Sequence, residues 1–424
     1  MCYNQHMNKL YEFPSGLKLV YAPNSAVRSV AIGINVGAGC VHENMENSGI
    51  SHFIEHMVFK GTKTRTAFDI VSEIDSIGAK INAFTTKQYT CFYTVSLKSH
   101  ADKCFEILSD IYHNPTFLSE ELEKERRVVL EEIAESEDTP DDVCLEKLGS
   151  AFFGSHPLGK TILGTKESLN NMTPDSLFSY KERFYTTQNT VVSVAGDISF
   201  EDAKKLVESY FETKVSSPFE IEFVPAAVPN NVFVSSKKDI AQTHIGIAFP
   251  SVALEHKLES AVDLLANVFG MEMSSRLFQR VREQLGLCYT IYAYPSYYLK
   301  EGVFVIYVAT NNESVEKAVH AIKDEILLLL DKGITDAELK KGKEQLATGL
   351  VLGQESTVAM MRAYGKFALL CGKLFDMDKK VADIEALTKD DIMEAARYIF
   401  DFDKAAASYV SGGKAVNVLD ILKN

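Results

Sequence analysis

SVAIGINVG (residues 29–37) has a counterpart in THIGIAFPS (residues 243–251), and the order of elements after each is the same. Both stretches are β-rich, and each is followed by a short loop and a helical segment. Placing HFIEHMVF (52–59) over VDLLANVF (262–269) keeps the closing Val-Phe in register. VFVIYVAT (303–310) then takes the place of YTCFYTVSL (89–97), and SVEKAVHAIKDEILLLL (314–330) that of ADKCFEILSDIY (101–112). One repeat at so long a period is no solenoid; it predicts two related α+β domains of about 200 residues each. Between them, KVSSPFEIEFVPAAVPNN (214–231) holds three prolines, two serines and no helical period, the composition of a linker. The boundaries therefore read as residues 1–214, a linker over 215–231, and residues 232–424.

Other elements fill in the first half. LKLVYAP (17–23) and TVVSVAGDI (190–198) read as strands. AFDIVSEIDSIG (67–78) sets Phe68, Val71, Ile74 and Ile77 in three-residue steps, a helical face stopped by Gly78. Leu118 to about Ser136 reads as a long charged helix after the turn residues Asn114 and Pro115.

The chain has 424 residues, 46% apolar and 24% charged, which excludes wholesale disorder. Lys and Arg number 44 against 58 Asp and Glu, a net charge of -14. Such a chain repels phosphate backbones, so nucleic acid is not expected as a partner. The seven cysteines are odd in number and form no CxxC pair, so free thiols in a reducing compartment are expected. MCYNQHMNKLYEFPSG has no apolar signal-peptide core, and the run Ile326–Leu330 is far short of a membrane span. A cytoplasmic protein with no membrane partner is the expectation.

The most informative string is HFIEH, with His52, Glu55 and His56. On a helix, His52 and His56 stand at i and i+4, so both imidazoles leave one face, as two ligands of a single Zn²⁺ must. Glu55 lies on that face too, within reach of a water that the metal acidifies. This H-x-x-E-H order inverts the commoner zinc-peptidase motif. A catalytic zinc takes a third protein ligand and keeps one position open. The charged helix offers Glu120, Glu121, Glu123, Glu125, Glu131, Glu132 and Glu135, and spacing alone does not choose among them. Glu125 and Glu132 are two turns apart on one face, so one can bind metal while the other orients a ligand histidine.

SGISHFIEHMVFKGT (48–62), ERRVVLEEI (125–133), HPLGKTILGT (156–165), VSVAGDI (192–198) and VREQLGLCYT (281–290) together resemble the M16 peptidase family, the inverzincins. The resemblance runs over essentially the whole chain and is strongest to the short two-domain branch, which includes bacterial processing-peptidase-like proteins. It implies two homologous domains, each a mostly antiparallel sheet covered by helices. It implies one Zn²⁺ per chain on His52, His56 and Glu132, with Glu125 behind the ligands and Glu55 as general base. INAFTTKQYTCFYTV (81–95) is similar to the family's edge strand, where Asn82 and Ala83 would hold extended peptide by its backbone. Phe84, Tyr89 and Tyr93 read as packing residues instead. The second half carries Val262, Leu265 and Ala266 where the first has His52, Glu55 and His56, so it lacks the zinc ligands. Arg282 and Tyr289 match an Arg/Tyr pair that the family uses in catalysis. In longer members that pair and the zinc lie on separate domains of one chain, which implies a dimer here, a homodimer or a heterodimer with a related subunit. The reading is a zinc endopeptidase acting on extended peptides or presequence-like segments. Its rivals are an inactive subunit that completes a partner's active site, and a non-peptidase zinc hydrolase.

Overall fold

Two runs of β-rich sequence build two sheets. The computed structural model describes residues 7–211 and 232–424, so the expected linker over 215–231 lies outside the described residues. In the first half the strands are β1 (Lys9–Glu12), β2 (Lys18–Pro23), β3 (Ser29–Val36), β4 (Lys80–Thr85), β5 (Thr90–Leu97) and β6 (Thr190–Gly196). In the second they are β7 (Phe233–Lys237), β8 (Gln242–Ser251), β9 (Cys288–Tyr297), β10 (Gly302–Asn311) and β11 (Ala406–Ser411). The sheet orders are β1-β2-β6-β3-β5-β4 and β7-β11-β8-β10-β9. Apart from β1 the two orders are identical strand for strand. Each sheet is antiparallel except for one parallel pair, β2 with β6 and β7 with β11. The repeat read from the sequence is thus a repeat of topology, and the α+β class with two helix-covered sheets holds.

Helices cover one face of each sheet because the strands turn their large apolar residues that way. In β3, Val30, Ile32, Ile34 and Val36 enter a core that also takes Phe53, Ile54 and Met57 of α1 (Ile50–Met57). The same core takes Ile70 and Ile74 of α2 (Ala67–Ser76) and Phe105, Leu108 and Ile111 of α3 (Ala101–His113). Half of the expected face of α2 holds: Ile74 is buried and Ile77 packs against the core, whereas Phe68 and Val71 are exposed and Ile70 is buried in their stead. Three-residue steps fall 60° short of a full turn each time, so a run of them winds off the buried face. The Thr66–Asp69 capping box starts the helix, and the four-residue pair Ile70 and Ile74 is the part of it that is buried.

The opposite face of each sheet is covered by a helix from the other half of the chain. Two compact units result, and neither is contiguous in sequence. Segment Ala134–Lys160 groups with the second sheet and Leu352–Phe375 with the first, whereas a single cut near residue 215 would assign them the other way. The helix Thr357–Cys371 lays Met360, Met361, Tyr364 and Ala368 on the small-residue side of the first sheet. α4 (Ser119–Asp138) leads into α5 (Pro140–Phe153), which packs against β8 and β11. The shared I-G-I of the two repeats supplies the notch in both places. A Cβ on Gly33 would stand 2.2 Å from Met361 Sδ and 2.7 Å from Ser193 Oγ. A Cβ on Gly246 would stand 2.9 Å from Leu148 Cδ2 and 2.8 Å from Ser408 Oγ. Ser193 and Ser408 are in turn the cross-strand partners of the two glycines.

A side chain in that notch has to push the helix off the sheet. Gly33→Val is expected to lower stability by about 1–3 kcal/mol, the usual cost of overpacking. Gly149→Ala, inside α5 with nothing within 4 Å of the new Cβ, is expected to be neutral or to stabilise by about 0.5–1 kcal/mol. Urea unfolding midpoints of the two variants check the contrast.

Candidate metal centre

The site is built on α1, and the start of that helix is held by a buried carboxylate. Glu43 Oε2 accepts from the Gly49 N–H at 2.6 Å, and Oε1 accepts from the Ser51 N–H at 3.0 Å. A negative charge there satisfies two orphan donors and complements the helix dipole. Gly49 itself has φ +88, and a Cβ on it would meet Leu163 O at 2.6 Å, so only glycine fits. Ile50, Phe53, Ile54 and Met57 then bury one side of α1. His52, Glu55 and His56 are left on the other side.

α4 faces them. Leu122, Val129 and Ile133 form its buried stripe, and Glu125 sits in that stripe rather than on the solvated side. Glu125 Oε1 accepts from His56 Nδ1–H at 2.9 Å, and its Oε2 pairs with Lys60 Nζ at 2.7 Å. The bond at Nδ1 fixes the tautomer and leaves the His56 Nε2 lone pair free for a cation. That Nε2 lies 3.3 Å from His52 Nε2 and 3.5 Å from Glu132 Oε2, and His52 Nε2 lies 3.8 Å from the same oxygen. Two ligand atoms on one tetrahedral Zn²⁺ with bonds near 2.0–2.1 Å stand about 3.3–3.4 Å apart, so the histidine pair already has that spacing. His52, His56 and Glu132 are the one group among the described residues whose ligand atoms converge in this way, all within 4.8 Å of one another. Two imidazoles and a carboxylate are the donor set of a catalytic zinc, and the three residues fit it.

The electrostatics follow from the same contacts. Burial, with His56 beside it, brings the His52 pKa down to about 3. Burial also opposes charge on His56, but the Glu125 hydrogen bond and the charges of Glu132, Glu125 and Glu55 outweigh it and raise the pKa. Glu125 is depressed despite its burial, because His56 and Lys60 both bond it. Glu55 is raised above the ordinary carboxylate value, chiefly by burial, with a further push from Glu132 and an opposing hydrogen bond from Thr85. A carboxyl with a raised pKa suits a group that must first take and then give a proton.

The remaining expected residues divide. Glu131 and Glu135 are exposed and outside the cluster, and Glu123 pairs with Arg126. Asn82 and Ala83 lie on β4, the last strand of the sheet order, bonded on one side only, to β5. The Ala83 N–H donates to Asn82 Oδ1 at 2.8 Å instead of to a neighbouring strand. Phe84 and Tyr93 pack around Arg362, whose guanidinium lies 4.7 and 4.8 Å from their ring centres, and Tyr89 is buried nearby. Arg282 and Tyr289 stand together in the second unit: the Arg282 guanidinium lies 4.5 Å from the Phe278 ring and 5.1 Å from the Tyr289 ring. Val262, Leu265 and Ala266 are fully buried, so the helix that corresponds to α1 is core there.

Sequence reasoning missed Lys60, Thr85 and Glu43. Lys60 is four residues past His56, a spacing that carries a usable signal. Thr85 and Glu43 reach the site through strand register and loop path, for which no local pattern exists. Among the described residues no helix is long and apolar enough to cross a membrane, and Cys91, Cys104, Cys144 and Cys288 are free thiols.

Comparison with known proteins identifies the family. Residues 18–166 match the family described as Insulinase (Peptidase family M16), and residues 171–346 match the Peptidase M16 inactive domain. A Bacillus subtilis protein described as an uncharacterized zinc protease is 39% identical over 405 residues, 95% of this chain and 98% of its own. A Rickettsia felis protein of the same description is 37% identical over 390 residues, 91% of this chain and 93% of its own. Among solved structures, a protease from Helicobacter pylori superposes with a TM-score of 0.90 at 20% identity, covering 96% of this chain and 100% of that one. The Pseudomonas fluorescens structure titled peptidase M16 inactive domain gives 0.91 at 19% identity, covering 96% and 98%. At those identities the structural likeness concerns the fold.

The three-atom cluster generates a test that needs no substrate. Glu132→Gln is expected to lose zinc outright, Glu125→Gln to bind it about 10–100-fold more weakly, and Glu131→Gln to bind it normally. Chelator competition on the purified proteins measures all three.

Proposed function

The chain belongs to peptidase family M16, and from that premise we propose that it is a zinc-dependent endopeptidase that hydrolyses extended peptides. The observation that carries the reading is the complete set: His52, His56 and Glu132 converge on one point, and Glu55 stands beside them on the same helix. One Zn²⁺ held by those three residues would supply a Lewis acid that polarises a peptide carbonyl and acidifies water. The chain's own groups do the rest. Glu125 holds the His56 Nδ1–H and so aims Nε2, while Lys60 balances the buried Glu125 charge. Glu55 takes the proton of the attacking water and then delivers it to the leaving amine nitrogen. Water is consumed, and one carboxylate and one amine are released. Thr85 occupies Glu55 Oε2, and Oε1 has no hydrogen-bond partner among the described residues, so Oε1 is the oxygen that takes the proton.

The free edge of β4 supports an extended substrate. A peptide laid there gains main-chain hydrogen bonds, with Asn82 and Ala83 at the docking position, and its side chains stay weakly specified. Presequence-like segments are the proposed class. The free thiols support a reducing, cytoplasmic setting. We further propose a homodimer in which Arg282 and Tyr289 of one chain act at the zinc of the other. Tyr289 would donate to the developing oxyanion, and Arg282 would hold substrate carbonyls. The adjacency of the two side chains and the 73% exposure of Tyr289 support a shared role outside the core. A scaffolding subunit would have no need of an intact base and ligand set.

Two measurements test these proposals. Glu55→Gln is expected to keep its zinc and lose peptide hydrolysis by about 10²–10⁴-fold, since Gln fills the space but takes no proton; full activity in the zinc-loaded variant would overturn the assignment. Glu55→Gln and Tyr289→Phe proteins, each nearly inactive alone, are expected to regain activity when their subunits exchange. Exchange without recovery would place the complete site within one chain.

A further inference from the structure

Glu55 is tethered by a hydroxyl pair whose proton directions are fixed by what each oxygen faces. Thr85 is the last residue of β4, and alternation puts its side chain on the face that Ile81 and Ala83 turn toward α1. Its Oγ1 lies 2.5 Å from Glu55 Oε2. Thr90, its cross-strand partner at the start of β5, sets a second hydroxyl 3.2 Å away. Thr90 is fully buried, and its Oγ1 lies 2.9 Å from the Ala38 carbonyl oxygen. A threonine hydroxyl has one proton to give. The Ala38 carbonyl accepts only, so the Thr90 proton is committed there. The ionised Glu55 carboxylate accepts only, so the Thr85 proton points at Oε2.

On these contacts, and resting on the reading of Glu55 as the base, we propose that Thr85 is the positioning residue for Glu55: its hydroxyl pins Oε2 and thereby presents Oε1 to the substrate water. Three features make the tether rigid. Threonine is β-branched and restricted at χ1. It sits in a paired strand rather than a loop. Its neighbour Thr90 has no spare proton with which to compete for Oε2. Glutamate, by contrast, has three side-chain torsions, and an unpinned carboxylate would spend only part of its time in the reactive arrangement. Because Thr85 lies on the strand whose free edge would receive the peptide, the pin and the docked backbone share one rigid element. Thr85 touches neither substrate nor metal ligand in this role; it acts through Glu55.

The test compares Thr85→Val, Thr85→Ala and Thr85→Ser with the unaltered protein on a quenched peptide substrate. Val keeps the shape without the hydroxyl, Ala also lacks it should Val fail to fold, and Ser restores it. Thr85→Val and Thr85→Ala are expected to lower kcat about 10–100-fold, the size of loss that follows when a catalytic group is misplaced. Their KM and zinc stoichiometry should be unchanged, and Thr85→Ser should recover most of the loss. Unchanged kcat in the Val and Ala variants would overturn the proposal. So would a Ser variant as slow as Val, which would make the residue a packing group, or loss of zinc with activity, which would tie it to the ligands. Glu55→Gln is assayed alongside. If it stays active the base assignment falls; if it is inactive while Thr85→Val is unimpaired, only the role given to Thr85 falls.

Discussion

The 2.9 Å hydrogen bond from His56 Nδ1 to Glu125 Oε1 joins two helices that are otherwise far apart in sequence. It fixes the register of α4 against α1. With Glu125 at that level, Glu132 two turns on reaches the Nε2 atoms of both histidines, and no other glutamate of α4 can. The same bond selects the His56 tautomer that leaves Nε2 as an acceptor. A buried carboxylate bonded only to a neutral imidazole would be costly, and Lys60 on its second oxygen offsets that cost. The capping of α1 by Glu43 and the glycine at its first turn serve the same end, because a helix that shifted along its axis would break the bond first.

Much of this is legible in the sequence. Strands β2, β3, β5, β6, β8 and β10 announce themselves by their β-rich runs, whereas β1, β7, β9 and β11 do not, and the duplicated order of elements predicted two related domains without giving the sheet order. His52, Glu55 and His56 are legible because three and four residues make one face of any helix, whatever surrounds it. Glu132 is different. Which side of a charged helix meets a neighbour depends on tertiary packing, so spacing left seven candidates and only the resemblance singled one out. A finer reading of α4 would have noticed Glu125 midway between Leu122 and Val129, in an apolar stripe where a carboxylate needs a partner. Thr85 had no such signal. Its role depends on β4 lying against β5 and α1, which is a long-range fact.

The two units show what a duplication can keep and what it can discard. Strand order, the parallel pair and the I-G-I notch with its facing serine are kept in both. The ligands are kept in one. At the places of His52, Glu55 and His56 the second unit has Val262, Leu265 and Ala266, all fully buried. Once the polar side chains are gone, nothing opposes filling that side of the helix with core. The exposed Tyr289 and its neighbour Arg282 lie on the second unit instead, so the chemically distinctive side chains of the two halves occupy different elements of a common plan.

The exchange of helices bears on how the chain is made. The outer face of the first sheet, with Val20, Ala22, Ala31, Cys91, Val191 and Ala195, is covered by residues 360–368. A ribosome releases the chain from its N-terminus, and domains ordinarily close as they emerge. Here the six strands of the first sheet are complete at Gly196, yet the helix that seals them arrives only after most of the second sheet has been synthesised. If the sheet closes as it emerges, its apolar outer face stands open to water during that interval. The nascent protein is therefore committed to a long wait in which that face needs shielding, by collapse onto its own later sequence or by a chaperone. The order of residues along the gene sets the length of the wait.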